Sequence, residues 1–159
     1  MIRQLQRAVR KEGIAPHSIV FVVILRSGVA FLPPALKAFP TARVAVLGLK
    51  RDEKTAVAHW YYANVPKLAS KDTVIILDPM LATGGSAKEA VLKLKKCGAN
   101  LRRMMFVGVI AAPEGVRVLQ QFIPRKRMIL GSVDRGLDAR KYIVPGLGDF
   151  GDRYFGYES

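Results

Sequence analysis

The chain predicts an α/β fold: an open, mostly parallel sheet with helices on both faces, a protruding β-hairpin and an irregular C-terminal region, all in a single domain over residues 1–159. Three observations carry this expectation. Two short runs, Ile19 to Leu25 and Thr73 to Leu77, are apolar and rich in β-branched residues, as strands buried on both faces of a parallel sheet are. Each breaks into a glycine-containing turn and then into a helix-like segment, and alternation of strand and helix builds parallel sheets. No repeat, low-complexity tract or Pro/Ser linker divides the chain, and its length suffices for one substantial core.

The elements follow in order. Residues 1–12 place Ile2, Leu5 and Val9 on one side and stop before Gly13, which predicts a short amphipathic helix. After the strand Ile19–Leu25, Arg26-Ser27-Gly28 marks the exit into a loop. A helix is expected over 29–39, its start left open because Pro33 and Pro34 fit only a first helical turn. Residues 43–50 read as another strand. From 51 to 71 the pattern changes to charges, then Trp60-Tyr61-Tyr62, then Asn64 and Pro66, which suits a protruding hairpin and is compatible with a mobile lid. Beyond the strand Thr73–Leu77, Ala87, Ala90, Val91 and Leu94 recur at helical spacing and Gly98 supplies a left-handed stop. A strand near 104–110, a helix starting near Pro113-Glu114, a strand near 127–131 and the irregular C-terminal region complete the chain.

Composition removes several classes. Hydrophobic residues make up 50% and charged residues 24%, a globular balance rather than a disordered one. The longest strongly apolar run is far shorter than the ~20 residues of a spanning helix, so no membrane protein is expected. The N-terminus lacks the apolar core of a secretory signal, and the lone Cys97 allows no internal disulfide, which makes a cytoplasmic location the default. Cys97 reads as a packed residue near a helix end. The net charge of +14 invites a nucleic-acid reading. Its small clusters at Lys93, Lys95 and Lys96, at Arg102 and Arg103, and at Arg125, Lys126 and Arg127 lack interleaved aromatics for base stacking. They read as a solvated face, with anionic substrates accounting for part of the charge.

The stretch Asp78-Pro79-Met80-Leu81-Ala82-Thr83-Gly84-Gly85-Ser86 is the strongest chemical signal. A strand that breaks into a glycine turn and re-enters as a helix aims unpaired backbone N–H groups and a positive helix end at one point. Thr83 and Ser86 add hydroxyls, and Gly84 and Gly85 permit positive φ and close approach of a ligand. An anionic phosphate suits this cradle. No lysine follows the second glycine directly, which excludes the P-loop of nucleotide triphosphatases. Asp78 sits at the strand's carboxyl end, where open α/β sheets bind ligands.

In its sequence this cradle resembles the phosphoribosyl diphosphate signature of type I phosphoribosyltransferases, in the Asp-Pro form of the uracil phosphoribosyltransferases. Ile24-Leu25-Arg26-Ser27-Gly28, Ala111-Ala112-Pro113-Glu114-Gly115 and Tyr142-Ile143-Val144-Pro145-Gly146-Leu147-Gly148-Asp149-Phe150-Gly151-Asp152-Arg153 agree with that family in the same order. The resemblance spans about residues 20–156. It implies the type I phosphoribosyltransferase fold and transfer of the phosphoribosyl group from 5-phosphoribosyl 1-diphosphate to uracil, giving UMP and diphosphate. It implies catalytic roles for Asp78, Arg26 and Asp149. Arg26, Arg51, the cradle residues Asp78, Pro79, Met80, Leu81, Ala82, Thr83, Gly84, Gly85 and Ser86, together with Asp149, would bind the donor. Ile143, Gly148, Asp149 and Phe150 would meet uracil. Mg²⁺ is expected as a cofactor bound mainly through the diphosphate, with no metal site built from protein ligands, and the assembly is expected to be a homodimer or larger. Family members carry a further N-terminal segment, so an abbreviated N-terminus is expected here.

On the residues alone some of these roles stay open. Arg26 reads equally well as a surface arginine in a turn, and Arg51 as a solvated charge beside Asp52 and Glu53. Residues 146–151 match the spacing of a dinucleotide fingerprint, but they lie too near the C-terminus for a following helix and a distant acidic residue. They read instead as an irregular glycine loop whose main-chain N–H and C=O groups complement the edge of uracil, with the Phe150 side chain packed outside the pocket. His17 and His59 are isolated, so no covalent triad is expected. Two rival readings remain: a non-catalytic regulatory domain of the same family, and an RNA-binding regulator favoured by charge but by no motif.

Overall fold

The computed structural model describes residues 1–51 and 58–157. Strand β1 (Ile19–Leu25) forms the middle of the sheet because it is apolar on both faces, with every residue but the last buried. It pairs in parallel with β2 (Arg43–Arg51) on one side and β4 (Thr73–Leu77) on the other. Beyond β4 lies β6 (Met104–Ala111), and beyond that β7 (Met128–Val133), both parallel. The alternation of side chains along β1 divides the core into two halves. Val20, Val22 and Ile24 pack with Ala87, Ala90, Val91 and Leu94 of α3 (Gly85–Lys96) and Leu119 of α4 (Pro113–Gln120). Ile19, Phe21 and Val23 point the other way, onto Leu5 and Val9 of α1 (Ile2–Lys11) and Ala35 of α2 (Leu32–Ala38). Helices on both faces follow directly from a strand with no polar side to expose.

The expected elements lie close to their places, with informative differences. The helix expected over 29–39 splits into a 3₁₀ turn, Ser27–Phe31, and α2, whose first turn accepts the prolines. The hairpin forms by antiparallel pairing of β2 with β3 (Ala58–Asn64), which makes β3 a sheet edge. The lid reading rests partly on residues 52–57, outside the described residues. The cradle contains a two-residue strand, β5 (Met80–Leu81), paired in parallel with Ile110 and Ala111 of β6.

The C-terminal region is not irregular throughout, and this corrects the expectation. Strands β8 (Gly136–Leu137) and β9 (Ile143–Val144) pair antiparallel, and α5 (Phe150–Phe155) begins inside the glycine run. Room for a helix therefore exists. Asp149 caps it by accepting the Asp152 N–H (2.9 Å), and Gly156, at φ +75, ends it. The dinucleotide reading still fails, because β9 belongs to a separate antiparallel pair and not to the parallel sheet.

Gly115 sets how closely α4 can approach the cradle. A Cβ there would lie 2.5 Å from the Ala82 carbonyl oxygen and 2.6 Å from that of Leu81. Backbone cannot yield as a side chain can, so Gly115→Ala should destabilise the fold by about 1–3 kcal/mol. Thermal unfolding should show a melting point lower by about 3–10 °C, and an unchanged value would contradict the close packing.

Candidate active site

Because β2 and β4 flank β1 on opposite sides, the chain leaves the carboxyl ends of β1 and β4 in diverging directions and opens a crevice there. Arg26 and Ser27 follow β1; Asp78 follows β4. Ser27 Oγ donates to Asp78 Oδ1 (3.1 Å), and the Met80 N–H donates to the same oxygen (3.4 Å). Both bonds converge on Oδ1, which leaves Oδ2 for a ligand. Asp78 is buried, and burial pushes its pKa up to about 6; the Met80 and Ser27 hydrogen bonds pull against this, and the charge of Asp149 adds to it. A carboxyl group poised in this way at a cleft is typical of functional sites.

The cradle wraps the start of α3. Gly84 occupies its N-cap at φ +78 with no side-chain cap, so the N–H groups of the first turn keep no intrahelical partner. Thr83 Oγ1 accepts the Gly85 N–H (3.3 Å) and tightens the turn. Asp78, Met80, Thr83, Gly85 and Ser86 line a cavity that Lys141 also lines, from the turn between β8 and β9. Amide and hydroxyl donors beside a helix N-terminus fit an anionic phosphate.

Arg26 stands just past the carboxyl end of the central strand β1, but it is engaged. Its Nη2 lies 2.7 Å from Asp152 Oδ1, and its guanidinium sits 5.1 Å and 6.0 Å from the Tyr157 and Phe155 ring centroids. The hydrogen bond that the guanidinium donates to Asp152 holds its pKa above the ordinary value. Arg51 lies at the end of β2, and its side chain falls outside the described residues.

The glycine-rich loop reaches the same crevice. Ile143 is buried against Ile110 and Ala112, with Leu147 packed on them. Gly146 (φ +60) and Gly148 (φ +78) need left-handed backbone, and the Gly146 N–H is tied to Asp134 Oδ2 (2.9 Å). The Phe150 N–H points to Met80 Sδ (3.4 Å), which ties this loop to the cradle. The Phe150 ring stacks on Tyr154 (centroids 5.7 Å apart, planes 12° apart). The crevice thus brings together Asp78, the cradle, Asp149 and the loop around Gly148.

Sequence reasoning missed four contributors. Ser27 is marked in the sequence only as part of the exit from β1, yet it orients Asp78. Asp152 occupies Arg26, and its signal was legible, since Asp149 and Asp152 have the spacing of a capping pair at a helix start. Glu114 Oε1 accepts the Leu137 N–H (3.3 Å) and anchors β8 to α4. Lys141 had no sequence signal.

The architecture defines a class first. The chain superposes on a purine phosphoribosyltransferase from Pyrococcus horikoshii (TM-score 0.58, 16% identity, 71% of each chain) and on APRTase from Giardia lamblia complexed with 9-deazaadenine (TM-score 0.61, 17% identity, 82% of this chain and 80% of the other). At those identities the likeness is one of fold, that of the phosphoribosyltransferases. The chain belongs to the uracil phosphoribosyltransferase family, which it matches over residues 2–157. Similar relatives include the uracil phosphoribosyltransferases of Roseiflexus castenholzii (50% identical, covering 87% of this chain and 65% of the relative) and Clostridium tetani (44% identical, 92% and 69%). The solved AQ2163 protein of Aquifex aeolicus superposes with a TM-score of 0.79 at 44% identity, over 88% of this chain and 66% of the other. The chain thus spans about two thirds of the length of these relatives.

Proposed function

We propose that the protein transfers the phosphoribosyl group of 5-phosphoribosyl 1-diphosphate to uracil. The observation that carries this reading is the placement of buried Asp78 between the phosphate cradle and Asp149. The donor's 5′-phosphate lies in the cradle, and Asp78 Oδ2 accepts from the ribose hydroxyls. As the bond from ribose C1 to the diphosphate oxygen breaks, N1 of uracil bonds to C1 and releases its proton, and diphosphate leaves with the electron pair. Asp78, carrying its charge, favours the carbocation character that develops on the sugar. Arg26, and with it Arg51, grips the diphosphate end. Main-chain groups around Gly148, with Ile143, Asp149 and Phe150, hold the base edge. Cytosine would leave such groups covered but unpaired in the complex and be rejected.

Asp78 and Asp149 are the carboxylates at the crevice, a donor set suited to Mg²⁺ that is held chiefly by diphosphate oxygens and water. Such an ion would neutralise charge on the leaving group. We further take the protein to work in the cytoplasm as a homodimer or larger assembly; among the described residues no helix is long and apolar enough to cross a membrane, and Tyr61 (57% exposed) and Tyr62 (47%) on the edge strand β3 offer a surface for a second copy.

Purified protein given Mg²⁺, phosphoribosyl diphosphate and labelled uracil should form UMP on chromatography, and none of the corresponding nucleotides from cytosine or orotate. A folded sample that yields no product would overturn the reading.

A further inference from the structure

Lys141 is the only non-glycine residue with positive φ among the described residues (φ +69). A side chain is sterically disfavoured there and persists only where its surroundings enforce it. The surroundings are Asp138, whose Oδ1 accepts the N–H groups of Arg140 (2.9 Å) and Tyr142 (2.8 Å), and whose carbonyl accepts that of Lys141 (3.0 Å). The turn so fixed carries Lys141 to the cavity lined by Asp78, Thr83, Gly85 and Ser86. No carboxylate among the described residues pairs with its ammonium within 4.0 Å. The cradle's other donors are neutral amides and hydroxyls, and its one charged neighbour is the carboxylate of Asp78, which repels a phosphate.

We propose that Lys141 is a further phosphate-binding residue, whose ammonium reaches across from the β8–β9 turn to neutralise the 5′-phosphate of the donor. The proposal rests on the reading of the cradle given above. It assigns Lys141 to the monoester end and leaves the diphosphate end to Arg26.

Lys141→Gly and Lys141→Asn both suit left-handed backbone and remove only the charge, whereas Lys141→Arg keeps it. Calorimetric titration of the full chain with ribose 5-phosphate should show about 5- to 30-fold weaker binding in the Gly and Asn variants. The Arg variant should bind within about threefold of the parent, and affinity for inorganic diphosphate should be unchanged in all three. Ribose 5-phosphate binding that survives in folded Lys141→Gly, yet weakens in Thr83→Ala, overturns the role of Lys141 and leaves the cradle standing. If the parent protein binds no ribose 5-phosphate at all, the cradle reading falls and Lys141 with it.

Discussion

Asp78→Asn should remove most of the transfer activity while raising the melting temperature at pH 8. The carboxyl group is buried, and its pKa is pushed up to about 6 chiefly by that burial, against about 3.9 in an unfolded chain. A folded pKa above the unfolded one means that folding favours the protonated form. The corresponding stability is complete below pH ~4, is lost as pH rises toward ~6, and stays lost above it. The loss is on the order of 2–3 kcal/mol. Asparagine keeps a neutral Oδ1 acceptor for Ser27 and Met80 and never ionises. The variant should therefore melt about 5–10 °C higher than the parent at pH 8 and at the same temperature near pH 4. Its kcat/KM should fall by about 10²–10³, and the parent's activity should rise with pH through about 6 as Asp78 ionises. Scanning calorimetry across pH, beside a UMP assay, checks both limbs; a variant that melts lower at pH 8 would contradict the argument.

Gly146→Ala should strike the base much harder than the phosphate. Gly146 combines a φ of +60 with a backbone so close to Ile143 that a Cβ would collide with the Ile143 carbonyl oxygen. The loop must move, and main-chain recognition tolerates little movement, since displacement by about 1 Å can cost about 10² in rate. KM for uracil should rise about 100-fold on that scale, while ribose 5-phosphate binding should weaken far less, because its cradle belongs to β5 and α3 and only Lys141 comes from the β8–β9 turn. An unaltered KM for uracil would remove this loop from the base site.

The parts legible in the sequence are those whose cause is local. Ile19–Leu25 and Thr73–Leu77 announce buried strands through continuous apolarity, and Asp78 to Ser86 announce an anion site through glycine and hydroxyl spacing. What escaped depends on distant partners. Met80 and Leu81 form a strand only because Ile110 and Ala111 lie beside them, and nothing within a two-residue segment encodes that. Helix α5 is hidden by glycines that suggest a loop, although its cap was written in Asp149 and Asp152. Gly115 looks like an ordinary helical glycine until the Leu81 and Ala82 carbonyls arrive against it. The role of Ser27 requires Asp78 across 51 positions of chain.

The ion pair between Arg26 and Asp152 makes the arginine a contested group. A diphosphate can take it only in competition with Asp152, and the helix that surrenders it is capped by Asp149, at the base side of the crevice. On the proposed function, filling the diphosphate end would therefore reseat the element that frames the base end. The two proposed substrates would then share a single linked equilibrium, in which the affinity of each depends on the presence of its partner to the same degree.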